Sequence, residues 1–246
     1  MTQSPNPTAA MLVIGDEILS GRTRDSNLHF LARTLTDHGV TLAEARVVSD
    51  DHDAIVAAVR ALSDAHDHVF TSGGIGPTHD DITADAVAAA FDDHIDIRHD
   101  ARDLLLAYFD SRGVEATEGR MRMARIPDRA RLIDNPVSIA PGFTIRNVHV
   151  MAGVPSVFEA MVASVLPTIK GGPPLLSQSL RIEKPEGEIA GPLRGLAADF
   201  PDLSIGSYPF STNGIFGSNI VIRGHDGARV SEAMVALCAL FPGQPA

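Results

Sequence analysis

The sequence predicts an α/β fold in which a mostly parallel sheet is covered by helices on both faces. Short continuous apolar runs such as Ala9–Ile14 are typical of strands buried on both sides. Segments with apolar residues at helical spacing, such as Ser26–His38 and Asp50–His66, follow these strands at short intervals. Strands and helices that alternate in this way favour parallel pairing through helical crossovers.

The elements follow from the same patterns in chain order. Gly39 ends the first helix, Pro127 ends a later one, and the pairs Pro141-Gly142 and Arg146-Asn147 are turn signals. We expect strands at residues 9–14, 41–48, 68–71, 131–133, 143–145, 148–151, 175–182, 203–208 and 218–222. We expect helices at residues 26–38, 50–66, 81–91, 99–111, 117–125, 153–169, 188–200 and 230–240.

A linker divides the chain into two domains. Gly171-Gly-Pro-Pro174 is the clearest interruption, and the pattern beyond it changes to a small α+β arrangement. We therefore predict a large domain at residues 8–172 and a small one at residues 173–246. A chain of 246 residues is long enough for one domain of about 150 residues and a smaller partner.

Charge and composition argue against several classes of partner. The net charge is −11, and neither domain has the basic excess that binding to nucleic-acid phosphates or an anionic membrane surface requires. No run approaches the ~20 apolar residues of a membrane span. The single cysteine, Cys238, cannot form a disulfide within the chain, and the start MTQSPNPTAA lacks the pattern of a secretion signal. We expect a cytoplasmic protein.

A glycine-rich loop follows the strand at 68–71. Its residues Ser72, Gly73, Gly74, Gly76 and Thr78 permit backbone amides to approach a ligand closely, and the next helix start points the same way. Such a loop binds phosphates without many cationic side chains, which suits an acidic chain. It is not a P-loop, because no Gly-Lys-Ser/Thr follows. Glycine spacing alone does not distinguish this site from a tight turn.

Two adjacent carboxylates follow the loop. Asp80 and Asp81 are expected at the start of the helix at 81–91, where one of them could cap the helix. Two carboxylates beside a bound phosphate repel it unless a cation lies between them. Mg²⁺ typically uses one or two carboxylates together with substrate phosphates. The pair therefore indicates metal binding or direct contact with the ligand.

Two further polar segments follow strands and should lie at the same edge of the sheet, because parallel strands end together there. The first is Gly15–Gly21 (GDEILSG) with the nearby Asp25–Asn27 (DSN). The second is Ala152–Pro155 (AGVP), which lies between a strand and a helix and is therefore also an amide-rich helix start. Either segment could also be an ordinary polar loop. The predicted ligand-binding residues in these segments are Gly15, Asp16, Glu17, Asn27, Gly153 and Pro155.

Together these segments resemble the molybdenum-cofactor-biosynthesis family of MoaB and Mog, and in particular the N-terminal part of CinA-type proteins. The matching residues are Gly15–Gly21 with Asp25–Asn27, then Thr71–Thr83, and then Ala140–Phe143 with Met151–Pro155. The resemblance covers about residues 9–170. Residues 175–242 resemble the small KH-like module that follows in CinA-type proteins.

The resemblance implies a three-layer αβα sandwich that binds molybdopterin or its adenylated form at the sheet edge, in an oligomer of identical subunits. It assigns the family's functional aspartate to Asp81 and a second acid to Asp16, whereas Asp80 belongs to the CinA-type variant. CinA-type proteins are also associated with hydrolysis of ADP-ribose to AMP and ribose 5-phosphate, with Mg²⁺ or Co²⁺. Their C-terminal amidohydrolase domain has no counterpart here, so deamidation of nicotinamide mononucleotide is not expected.

Three functions remain open at this point. The first is a domain that binds a phosphorylated pterin or nucleotide without turnover. The second is a metal-dependent pyrophosphatase with Asp80 and Asp81 as catalytic residues and with Asp80, Asp81 and Asp16 as metal ligands. The third is a non-enzymatic module that binds RNA or protein through its small domain, and the acidic charge argues against RNA.

Overall fold

The computed structural model describes residues 6–212 and 214–243. The chain forms two compact units that divide between Gly172 and Pro173, within the Gly-Gly-Pro-Pro segment. The first unit is the α/β part and the second is the small α+β part. Each unit has its own apolar core.

The main sheet of the first unit is mostly parallel, with the strand order β2-β1-β3-β8-β7-β6. Strands β2, β1, β3 and β8 pair in parallel, whereas β7 pairs antiparallel with both of its neighbours. The predicted fold class is therefore confirmed. The strands are β1 (Thr8–Ile14), β2 (Thr41–Val48), β3 (His68–Ser72), β6 (Arg131–Ile133), β7 (Gly142–Ile145) and β8 (Val148–Met151).

Helices cover both faces of this sheet. Along β1, Ala10, Leu12 and Ile14 belong to one buried cluster and Met11 and Val13 to another, as the alternation of side chains along a strand requires. The first cluster packs on α3, α4 and α5, and the second on α2 and α7. The helices are α1 (Asp16–Leu19), α2 (Asn27–Asp37), α3 (His52–Ala65), α4 (Thr83–Ala90), α5 (His99–Arg112), α6 (Glu118–Met121) and α7 (Pro155–Val165).

Two sequence predictions are wrong in detail. The helix predicted from residue 81 begins at Thr83, so Asp80 and Asp81 precede it. The helix predicted at residues 117–125 ends early: α6 runs into a 3₁₀ turn at Arg122–Ala124, and β5 (Arg125–Pro127) pairs with β4 (Ile95–Ile97). Neither three-residue strand is long enough to show the alternation by which a strand is recognised in a sequence.

The second unit is a three-stranded antiparallel sheet packed on two helices. Its strands are β9 (Leu176–Ile182), β10 (Ser204–Thr212) and β11 (Ile215–Gly224), in the order β10-β11-β9. Its helices are α8 (Glu186–Asp199) and α9 (Gly227–Leu240). Alternate residues of β9 and β11, including Leu180, Ile182, Ile220 and Ile222, form the core with these helices. Within the described ranges, no helix combines the length and the apolar character of a bilayer span.

A buried histidine lies on β8, within the sheet. His149 is 3% exposed, contacts the Thr144 hydroxyl through Nδ1 at 3.0 Å, and stacks on His68 with ring centroids 5.5 Å apart. The pKa of His149 is lowered to about 3, chiefly by burial and to a lesser extent by His68 and Arg131. A base whose pKa is lowered by folding takes up its proton more readily in the unfolded chain. Stability is therefore unaffected above pH 6.5 and is lost as the pH falls from 6.5 toward 3.

His149 should make the protein sensitive to mild acid. At pH 5 the folded protein should be less stable than at pH 7.5 by about 2 kcal/mol from this residue. Urea denaturation of His149→Asn at both pH values should show a smaller difference in the free energy of unfolding than wild type. His29→Asn, which replaces an exposed histidine, is the control and should keep the wild-type difference. An unchanged difference in His149→Asn would contradict this account.

Candidate functional site

One cavity lies at the carboxyl ends of the parallel strands. Its volume is about 510 Å³, within the range of small-molecule sites. Residues from all the predicted segments line it: Glu17 and Thr23 after β1, Gly73–Pro77 and Asp81 after β3, Asn135, Ser138 and Ala140 before β7, and Ala152–Pro155 and Val157 after β8, with Met123 beside them. The structure thus brings together segments that are far apart in the sequence.

Two glycines set the path of the loop after β3. Gly73 has φ +111° and Gly74 has φ +68°, both in the region that favours glycine. A Cβ on Gly73 would lie closer than 3.0 Å to the Ile14 carbonyl oxygen, and a Cβ on Gly74 equally close to the Thr83 hydroxyl oxygen. The backbone therefore passes between the end of β1 and the first residue of α4 with no room for a side chain.

Asp81 turns back onto the loop. Its Oδ2 accepts hydrogen bonds from the Thr78 backbone N–H at 2.8 Å and from the Thr78 hydroxyl at 2.6 Å. The Thr83 N–H donates to the Gly74 carbonyl at 3.0 Å. These bonds close Gly74–Ile82 into a compact loop, which explains why the helix begins two residues later than its composition suggests. Asp81 lines the cavity, and it shapes the loop and does not cap the helix. Its predicted catalytic and metal-binding roles stay predictions.

Asn27 links two of the three segments to the start of α2. Its Nδ2 donates to the Ser72 hydroxyl and to the Gly153 carbonyl, each at 2.8 Å. The residue is 4% exposed, and its Oδ1 has no hydrogen-bond partner among the described residues. Asn27 lines a recess of about 70 Å³ with Ser72, Gly73 and Gly153. The Oδ1 of Asn27 is therefore a buried hydrogen-bond acceptor that no described residue satisfies.

A group of carboxylates lies beside the cavity. The Asp16 backbone N–H donates to Asp50 Oδ2 at 2.9 Å. Burial raises the pKa of the Asp50 carboxyl, and the carboxylates of Asp16, Glu17 and Asp80 raise it further. Sequence reasoning missed Asp50, although it follows β2 and the rule that parallel strands end at one edge applies to it equally.

The predicted site residues thus divide into two groups. Glu17, Gly73, Gly74, Gly76, Asp81, Gly153 and Pro155 line the main cavity, and Asn27 and Ser72 line the adjoining recess. Gly15, Asp16, Thr78 and Asp80 do not line either one; Gly15 and Asp16 sit at the end of β1, and Thr78 and Asp80 are exposed on the outer part of the loop.

The metal ligands predicted from the sequence are not assembled into a preformed cluster. The Asp81 carboxylate accepts a hydrogen bond from Thr78, whereas Asp16 and Asp80 lie near Asp50. Across residues 6–212 and 214–243, no group of three or more His, Cys, Asp or Glu side chains is arranged to bind a metal ion. The carboxylates near Asp50 are oxygen donors of the kind that Mg²⁺ uses with substrate phosphates, so metal binding stays a prediction.

An arginine that sequence reasoning also missed lies behind the loop. Arg122 lines a small recess together with Gly74–Gly76 and Asp81. The residue is half-buried, and its Nε is buried without an acceptor in the described part of the chain. No local motif marks Arg122, because it reaches the loop only through the fold. The one sequence signal is that Met121–Arg125 (MRMAR) contains two arginines, which marks a small basic cluster but no specific site.

Comparison with known families divides the chain at the same place as the fold. The family model described as a probable molybdopterin binding domain matches residues 10–171. A model described as the middle domain of FAD synthase matches residues 174–245.

Three relatives show how far the similarity extends. A probable FAD synthase of Caenorhabditis elegans is 34% identical over an alignment of 261 positions, which covers 96% of this chain and 50% of that protein. A CinA-like protein of Desulforapulum autotrophicum is 32% identical over 86% of this chain and 56% of that protein. The crystal structure of the protein CinA, of unknown function, from Thermoplasma acidophilum is 35% identical with a TM-score of 0.62, over 67% of this chain and 99% of that one. The chain spans about half the length of the FAD synthase relatives it matches.

The close approach of Gly74 to Thr83 can be tested by adding a single methyl group at position 74. Gly74→Ala should lower stability by about 2 kcal/mol or more, because it adds overlap with the Thr83 hydroxyl to the cost of a positive φ. Gly113→Ala is the matched control, since Gly113 has φ +62° and nothing within 4 Å of an added Cβ. That control should lose only about 1 kcal/mol. Equal losses in urea denaturation would show that the loop is not held against Thr83.

Proposed function

Because the chain belongs to the family of probable molybdopterin-binding domains, we propose that it binds a phosphorylated pterin or nucleotide in the cavity at the sheet edge. The observation that carries this proposal is the convergence of three segments on that cavity. Gly73–Gly76 line one side of it, and Ala152–Pro155 line another. The Gly73 N–H donates to the Met151 carbonyl, so the amides proposed to meet the anion are those of Gly74, Ile75 and Gly76. Convergent amides in a pocket of this size are a means of binding an anion without clustered lysines.

A dinucleotide is the class of ligand that best accounts for the similarity both to molybdopterin-binding domains and to FAD synthases. FAD, the product implied by the description of the Caenorhabditis elegans relative as a probable FAD synthase, and ADP-ribose both contain adenosine and a pyrophosphate. Molybdopterin shares a phosphate and a fused heteroaromatic ring with them. In the proposed complex the phosphates lie against Gly74–Gly76, and the unpartnered Oδ1 of Asn27 accepts a hydrogen bond from a ring or hydroxyl donor.

Hydrolysis of a pyrophosphate is the second candidate function. It is favoured by a group of three carboxylates, those of Asp16, Asp50 and Asp80. Asp16 and Asp80 lie close enough to Asp50 to raise the pKa of its carboxyl. These groups would hold a Mg²⁺ ion, and the bound ion would polarise a phosphoryl oxygen. The role of Asp81 in this reaction is to hold the glycine loop in position through Thr78 and to add a negative charge beside the cavity.

Calorimetric titration with ADP-ribose, FAD and AMP, each with Mg²⁺ present, tests the binding proposal. At least one of these compounds should bind wild type, and Gly74→Ala should weaken that binding. Gly113→Ala should bind like wild type, because Gly113 ends α5 and does not line the cavity. If no titrant or added molybdopterin produces heat, or if Gly74→Ala binds equally well, the proposal fails.

AMP release from ADP-ribose tests the hydrolytic candidate and the role of Asp81. Asp81→Asn keeps an oxygen that can accept from Thr78 but removes the charge, whereas Asp81→Ala removes both. If the charge matters, both variants should lose activity by about tenfold or more. If Asp81 serves only the shape of the loop, Asp81→Asn should retain activity and Asp81→Ala should not. Exposed Asp103→Asn is the control. No AMP release by wild type with Mg²⁺ or Co²⁺ would exclude this function.

A further inference from the structure

We propose that Arg122 is the cationic group of the ligand site, and that its guanidinium binds a terminal phosphate oxygen of the ligand from behind the glycine loop. This inference rests on the proposed function and adds a residue that recognises the anion. It is carried by the position of Arg122 in a recess that opens onto the loop.

The surroundings of Arg122 leave its charge unpaired. Arg125, three residues later, lines the same recess and also has a buried Nε without an acceptor, but its charge is paired because its Nη2 donates to the Asp85 carboxylate. Arg122 has no such partner within residues 6–212 and 214–243, and its Nε is buried without an acceptor. A buried donor of a charged group is costly when unsatisfied, and an anion at this place would remove that cost. Arg122 is therefore the guanidinium available to a ligand.

The size and lining of the recess indicate which part of a ligand enters it. Its volume is about 20 Å³, which is space for roughly one water-sized group. A ring cannot enter, whereas a phosphate oxygen can. Gly74, Ile75, Gly76, Asp81 and Met123 line both this recess and the main cavity. A phosphate lying on the loop in the main cavity thus presents an oxygen to the recess.

Asp81 makes a cation at this position necessary. Its carboxylate lines the same recess and would repel a phosphate. Two hydrogen bonds from Thr78 stabilise the negative charge on Asp81 Oδ2 but do not neutralise it. The guanidinium of Arg122 opposes that repulsion. A planar guanidinium also binds phosphate oxygens with two parallel hydrogen bonds, which a lysine ammonium cannot do.

The test compares the affinity of Arg122→Gln, Arg122→Lys and wild type for ADP-ribose and for adenosine, by calorimetry at fixed salt and Mg²⁺. Arg122→Gln should bind ADP-ribose more weakly by about tenfold or more, since a hydrogen bond to a charged group is lost. Arg122→Lys should recover part of the loss. Adenosine has no phosphate, so its affinity should be the same for all three proteins. Arg102→Gln, which removes a partly exposed arginine of α5 that pairs with Asp103 outside the cavity, is the matched control for net charge.

The outcomes separate this inference from the proposed function. If Gly74→Ala weakens the binding of ADP-ribose but Arg122→Gln does not, the cavity is the site and the role of Arg122 is refuted. Equal weakening for adenosine and ADP-ribose, or a melting temperature of Arg122→Gln well below that of wild type, would assign Arg122 a structural role and also refute it. If wild type binds FAD, AMP or molybdopterin but not ADP-ribose, the same comparison is made with the compound that binds. If wild type binds none of these compounds, both proposals fail together.

Discussion

The site depends on the close approach of three backbone segments at Gly73 and Gly74. The loop after β3 passes between the Ile14 carbonyl and the Thr83 hydroxyl, and a side chain on either glycine would overlap with one of them. Gly153 lies against Gly73 from the third segment. Asn27 then fixes the arrangement with hydrogen bonds to Ser72 and to the Gly153 carbonyl. Without this contact the three segments would not line a common cavity.

Much of this arrangement was predictable from local patterns. Apolar runs ending in polar residues located β1, β3 and β8, and parallel pairing then placed the segments after them at one edge. The position of Asp81 was not predictable in the same way. Aspartate is a common residue at helix starts, but the hydrogen bonds that Asp81 accepts from Thr78 hold it in the loop before Thr83. Arg122 meets the site only through the tertiary fold, so no spacing in the sequence reveals it. Asp50 follows β2 and could have been placed at the same edge by the rule applied to the other strands.

The proposed function requires that an acidic chain bind an anion. Its net charge is −11, and carboxylates of Glu17 and Asp81 line the main cavity. Backbone amides bear partial positive charge wherever the loop exposes them, independent of the side-chain balance. One guanidinium, that of Arg122, adds a full charge behind the loop. In the proposed complex the carboxylates would orient the loop and admit a divalent cation with the ligand, so that affinity would depend on where the charges lie more than on their sum.

The most direct test of the central claim is a crystal structure of the protein soaked with ADP-ribose and Mg²⁺. The account places phosphate density in the 510 Å³ cavity, within hydrogen-bonding distance of the amides of Gly74–Gly76 and with an oxygen toward Arg122. Adenine or ribose density would lie on the side of Asn27. Ligand density on the unit that follows Gly172, with none in the cavity between the loops, would contradict the account.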